Sequence, residues 1–315
     1  MLALTLALLA QLTGAGWASS RPAECAPLGE GLRGVSNVWE RAKSPELGRY
    51  CDLLASGAAK LAGGAASGAP AGAREVLAIA DEADRAIPSR AAPSVLRGRA
   101  LARLGLYKDA VVAFEEGRRR DDRALEDPAS LLAWARVLAR AGRLEEASAA
   151  YRSLLPRAST LTLADRGAAC IEAALLASAR GPSGLDEAIA DLRQARRDSQ
   201  EVLQAVATLA LALALDRAGA REEARAVLGE GSRGDPRVAL SDARAREILA
   251  TVSAAGEADA MVAMGLEAAG DGVAAREAWK TYESGASSRG PWAEHARAHA
   301  HDVAGSKRPA AGRGK

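Results

Sequence analysis

Apolar positions recur along this chain at helical spacing, and one grouping of small and large residues returns in series. Gly105 is followed by Tyr107, Ala110 and Phe114, and Gly142 by Leu144, Ala147 and Tyr151. Gly219 is followed by Arg221, Ala224 and Leu228, and Gly270 by Gly272, Ala275 and Trp279. In each unit a glycine turn precedes a small residue five positions on and a large apolar residue nine on. Such a unit reads as a helical hairpin that cannot bury its apolar face alone, so successive units must stack. Ala188 and Leu192 continue the series after a longer turn, Arg180 to Gly184.

The pattern predicts hairpins over about 92–120, 129–156, 162–197, 200–230 and 243–284. Their marker alanines, Ala110, Ala147, Ala188, Ala224 and Ala275, are 37, 41, 36 and 51 residues apart. The last interval leaves room for a linker or a short helix around 232–255. Asp127-Pro128 and Asp235-Pro236 precede new helices, where a capping carboxylate followed by Pro is favoured. Upstream, 46–90 predicts a degenerate first hairpin. Its helices run to about Ala62 and from Arg74 to Ala86, separated by a Gly/Ala-rich loop at Gly63 to Gly72 that should not hold a regular helix. A last helix is expected from Pro291 to Val303, capping the chain within 285–304.

Composition sharpens this reading. The chain has 49% hydrophobic residues but 3% aromatics, so the apolar content is mainly Ala and Leu. That suits closely packed helices, and no sustained alternating run suggests a sheet. The expected fold is all-α, an α-solenoid of stacked antiparallel hairpins. Solenoids usually present binding surfaces.

The serial motif resembles the tetratricopeptide repeat. In that family the turn glycine is followed by an aromatic or Leu, then a small residue, then an aromatic that packs on the next helix. Gly105, Tyr107, Ala110 and Phe114 match all four positions, as do Gly142, Leu144, Ala147 and Tyr151. Arg221 and Gly272 depart from the apolar turn position. The repeats themselves are placed at 91–284, and the resemblance extends back to about residue 75. It implies a right-handed superhelix whose concave groove is lined by the first helix of each hairpin. That register places Val95, Arg99 and Arg103, then Leu132, Arg136 and Arg140, in the groove. Leu209, Leu213 and Arg217 follow, then Glu257, Met261, Met264 and Glu267. Arginine forks bind carboxylates through two oxygens. The expected partner is therefore a protein or peptide, acidic or carboxylate-ended, held by Arg99, Arg103, Arg136, Arg140 and Arg217. The Asn and Lys of the family's peptide-carboxylate clamp have no counterparts here.

The ends and the charge set the class of partner and compartment. Net charge is +2, and the basic tail 305–315 carries four cations, which leaves the rest of the chain at −2 (2 minus 4). A body with that balance lacks the field of a nucleic-acid binder. Leu2 to Leu12 followed by Gly16-Trp17-Ala18 predicts a signal peptide over 1–18, although no Lys or Arg precedes the apolar run. The run is too short for a stable membrane span. Export to the periplasm or cell envelope follows. A polar arm, 19–45, comes next, and Cys25 and Cys51 could pair there in an oxidising compartment. Cys170 lies in an apolar stretch and reads as a buried thiol.

The three histidines lie together. His295 and His299 fall one turn apart on a helix face, a spacing that can ligate Zn²⁺ or Cu²⁺ with Glu294 or Asp302 nearby. No glycine-rich phosphate loop or nucleophile motif is present, and no cofactor is expected. The leading functional expectation is an exported scaffold for protein interaction without catalysis. The alternatives are a metal-binding or enzymatic subunit using the histidines, and a cytosolic adaptor with an uncleaved N-terminal helix.

Overall fold

Alanine and leucine are the strongest helix formers, and a chain built mainly from them folds accordingly. In the computed structural model, helix occupies 84% of the described residues and no strand occurs among them. The structure describes residues 22, 24–25, 44–67, 70–199, 201–231, 234–252, 256–285 and 289–305. The expected signal peptide, most of the polar arm and the tail from 306 lie outside these residues.

Two compact units divide the chain at Leu161 and Thr162. Unit one holds α1 (Pro45–Ser67), α2 (Pro70–Ala86), α3 (Ala91–Arg103), α4 (Tyr107–Arg120), α5 (Pro128–Arg140) and α6 (Leu144–Leu154). Unit two holds α7 (Leu163–Ala179), α8 (Leu185–Asp198), α9 (Glu201–Arg217), α10 (Arg221–Gly231), α11 (Pro236–Ser241), α12 (Ala243–Val252), α13 (Glu257–Ala268), α14 (Gly272–Ser284) and α15 (Ala293–Gly305). The pairs α1/α2, α3/α4, α5/α6, α7/α8, α9/α10 and α13/α14 pack as hairpins.

Glycine makes the tight turns. Gly105, Gly142, Gly219 and Gly270 adopt φ of 75, 80, 82 and 78°. In each, the glycine N–H bonds three residues back and the next N–H bonds five residues back, as in Gly142 to Ala139 and Arg143 to Leu138. This pairing satisfies two carbonyls that the ending helix leaves open, and it needs a left-handed residue, which glycine adopts without Cβ strain. The next helix starts at once. Its fourth residue is the marker alanine: Ala147 donates to the Arg143 carbonyl at 2.9 Å.

The small and large markers are core residues. Ala110, Ala147, Ala188 and Ala275 are 0% exposed and Ala224 1%. Phe114, Tyr151, Leu192, Leu228 and Trp279 are also buried. Phe114 seats over Gly98, where an added Cβ would lie 2.8 Å from its Cδ2. Its ring meets Trp134 on α5 at 5.5 Å between centroids, which joins one hairpin to the next. Asp127 caps α5 by accepting from the Ser130 N–H at 3.0 Å, with Pro128 behind it.

Two expectations change. The loop at 63–72 is short: α1 runs through Gly63 and Gly64 to Ser67, and α2 begins at Pro70. Dense alanine on both sides offsets the glycine cost, and Pro is tolerated in a first helical turn. The interval around 232–255 holds two short helices, α11 and α12, and the last hairpin begins at Glu257. The C-terminal helix buries one face, with Ala296 0% and His299 7% exposed.

Candidate functional site

The structure joins Cys25 to Cys51 in a disulfide with Cα atoms 5.7 Å apart. Beside it, the buried Tyr50 hydroxyl donates to Glu24 at 2.8 Å. Burial, reinforced by the Glu24 charge, pushes the Tyr50 hydroxyl well above its usual range. Cys25, Tyr50 and Cys51 share a core with Leu54, Val76 and Leu96, so the bridge pins the N-terminal arm onto α1 to α3.

Next to this core is a cavity of about 520 Å³ within unit one, walled by α1, α3 and the α4–α5 connection. Of the five arginines expected in a groove, only Arg99 lines it. Arg99 is half-buried. Burial lowers the guanidinium's pKa, partly countered by the charge of Asp127. Among the described residues it makes no hydrogen bond and no ion pair. Arg90, Arg120 and Arg123 also line the cavity, alongside Glu24, Asp121, Glu126 and Asp127. Arg120 is already held, at 2.6 Å from Asp84 and 2.7 Å from Glu116.

The other expected groove residues go elsewhere. Arg103 is exposed. Arg136 and Arg140 are half-buried and engaged, and the Arg140 guanidinium lies 5.4 Å from the Tyr107 ring centre. In unit two, Leu209, Leu213, Met261 and Met264 are core. Arg217 faces no groove: its side chain is 1% exposed and pairs through both nitrogens with Glu257, at 2.7 and 2.9 Å. It also donates to Ser178 Oγ at 3.1 Å and lies 4.8 Å from the Trp292 ring centre. Trp292 in turn donates from Nε1 to the Ser178 carbonyl at 2.9 Å. One buried ion pair thus ties α7, α9, α13 and the entry to α15. The groove register fails here because α9 is buried on all sides from Val206 to Leu215, with Thr208 the one polar residue of that stretch, and such a helix is wrapped by its neighbours.

The histidines meet carboxylates, though not those adjacent in sequence. Glu294 is exposed, and Asp302 is exposed beside the 90% exposed His301. The partners instead come from α9 and α13. His295 Nε2 lies 2.5 Å and His299 Nε2 2.8 Å from the same oxygen, Asp216 Oδ2. His299 Nδ1 faces both oxygens of Glu267 at 3.1 Å. Trp279 donates from Nε1 to that same Glu267 and stacks beside His299, with ring centres 5.0 Å apart. Side-chain exposures are 4% for Asp216, 16% for His295 and 9% for His299.

This environment separates the titrations. Burial alone would raise the Asp216 carboxyl, but hydrogen bonds from His295 and His299 outweigh it and hold the group well below the usual carboxylate range. Burial alone would lower His299, but hydrogen bonds to Asp216 and Glu267 win and raise it to about 9. His295 Nδ1 is buried with no hydrogen-bond partner among the described residues. Cys170 is buried and its thiol is pushed up to about 12 by burial, so it is unreactive.

The sequence placed His295 and His299 on one face but could not supply Asp216 and Glu267, which are 79 and 32 residues from their histidine partners. Asp216 carries a faint signal, a charge closing the long apolar run of α9. In comparisons with known proteins, no family model matches the chain and no curated protein is similar to it.

Proposed function

We propose that the chain is a tetratricopeptide-like α-solenoid scaffold, exported to the periplasm or cell envelope, which binds a protein or peptide partner and performs no catalysis. The recurring glycine turn, buried alanine and buried large residue support the repeat reading. The Cys25–Cys51 bridge supports an oxidising compartment. No helix among the described residues is long and apolar enough to cross a membrane.

One observation carries the binding reading. Arg99 is a half-buried guanidinium on a cavity wall with no carboxylate in hydrogen-bond reach among the described residues. Desolvating a charge without a partner is costly, and a ligand carboxylate would supply the missing one. The other charges on the cavity wall are three arginines against four carboxylates, a net of −1 (3 minus 4), so the recognised feature is a single carboxylate on the partner and not a long acidic tract.

The test is fluorescence anisotropy with two labelled peptide pools, one bearing carboxylates and one with the same residues amidated. The carboxylate pool should bind and lose at least about tenfold in affinity with Arg99→Leu, as expected for a charge-assisted pair. Arg103→Leu, at an exposed position outside the cavity, should bind as the parent does. Equal binding of both pools, or binding indifferent to Arg99→Leu, would sink the reading.

A further inference from the structure

We propose that Asp216, His295 and His299 form a divalent transition-metal site suited to Zn²⁺, with Glu267 as the group that orients His299. This goes beyond the scaffold reading and does not depend on it, because every residue involved lies in unit two.

The argument starts from hydrogen positions. His299 sits between two carboxylates, Asp216 at Nε2 and Glu267 at Nδ1. Each nitrogen must therefore present positive charge to its carboxylate. A hydrogen on Nδ1 satisfies Glu267. At Nε2, either a second proton or a metal ion can satisfy Asp216. His295 Nε2 points at that same Asp216 oxygen. Two imidazole nitrogens and one carboxylate oxygen thus converge on one point, and these ligand atoms all lie within 4.8 Å of one another. Two imidazoles and a carboxylate are the donor set that borderline divalent ions such as Zn²⁺ prefer.

The supporting shell is already in place. Metal-bound histidines almost always donate their other ring N–H to a carboxylate or carbonyl, which fixes the ring and its tautomer. Glu267 occupies that position on His299 Nδ1, and the Trp279 indole N–H holds Glu267 in turn. His295 and His299 are one turn apart on α15, so a single helix face presents both rings. Their centres are 4.7 Å apart. Tetrahedral bonds of about 2.0–2.1 Å would place donor atoms about 3.3 Å apart, so the two Nε2–Oδ2 contacts need to open by less than about 1 Å. Three protein donors leave one position for water or a fourth group. Arg221 Nε lies 3.8 Å from Asp216 Oδ1, the oxygen that neither histidine contacts.

The test is titration of the metal-stripped full chain with Zn²⁺, read by calorimetry and by Trp279 fluorescence. One Zn²⁺ per chain at micromolar affinity or tighter is expected, with a fluorescence change from the indole beside His299. Asp216→Asn keeps the side-chain shape and should lose at least tenfold in affinity. Glu267→Gln should lose roughly 10–100-fold, as removal of outer-shell partners typically does. His301→Ala should bind as the parent does. Should Asp216→Asn fail to fold, the parent alone decides, with Co²⁺ in place of Zn²⁺ and tetrahedral visible bands expected. Absence of binding by the parent, or loss of binding with His301→Ala alone, would overturn the proposal and leave the cluster as an ion-pair lock.

Discussion

In unit one, Arg143 reaches Glu115 and Glu146 from a hairpin turn, with side-chain exposures of 35%, 46% and 52%. In unit two, Arg217 and Glu257 make the same kind of pair with exposures of 1% and 8%. Unit one has this pair at its rim and fastens its N-terminal edge with a disulfide. Unit two brings its charges inside, in the Arg217–Glu257 pair and in the Asp216 cluster, and uses them to tie helices distant in sequence. The energies differ accordingly. An exposed pair gains little, because water screens it and long side chains lose freedom. In a buried pair desolvation offsets the attraction, yet removing one partner strands the other without water.

The largest expected effect tests that asymmetry. Arg217→Ala leaves Glu257 buried and unpaired and should cost about 3–5 kcal/mol. Arg143→Ala should cost under about 1 kcal/mol, since both acids can turn to solvent. Urea unfolding of the two variants beside the parent measures both. Equal losses would mean that burial does not separate the two pairs.

The next effect belongs to unit one. Replacing Cys25 and Cys51 by Ser opens a loop of 26 residues, which the chain-entropy account values at roughly 3–4 kcal/mol. Amide exchange should speed up in α1 and α2, where the bridge is fastened, and stay unchanged in α9 and α13. Faster exchange throughout α9 would show that the two units share their stability.

How much of this was legible in the sequence follows from the range of the forces involved. The hairpins were, because a glycine at positive φ, an alanine four residues into the next helix and a large residue one turn later are local requirements. Gly142, Ala147 and Tyr151 state all of them within ten positions. The extent of α1 was not, because alanine-rich helix propensity overrode Gly63 and Gly64. The groove was read in error at Arg217. The register placed Arg217 one turn beyond Leu213, but whether that face meets solvent depends on α13 and on Trp292, which come from far along the chain. The histidine pair was legible by helical spacing, while Asp216 and Glu267 are long-range partners with only weak local marks. Arg99 was named among five candidates, and the cavity alone distinguishes it from Arg103.

A smaller effect sharpens the comparison within unit two by setting two aspartates against each other. Asp216 receives donors from both histidines and stays ionised, whereas no hydrogen-bond donor among the described residues reaches the half-buried Asp191 on α8. Burial first, and then the charge of Glu187 one turn away, raise the Asp191 carboxyl to about 7. Its unfolded value is about 3.9, so the fold favours the protonated form. That contribution is complete below about pH 4, declines as pH rises toward 7, and is gone above it. Asp191→Asn cannot ionise, so its stability relative to the parent should climb over that window and then level off. The gain should be on the order of 1 kcal/mol, since a half-exposed carboxylate is partly screened by water. Thermal unfolding of parent and variant from pH 4 to pH 8 gives the difference curve. A flat curve would mean that Asp191 ionises freely in the fold, and that burial in unit two constrains only the charges that have partners.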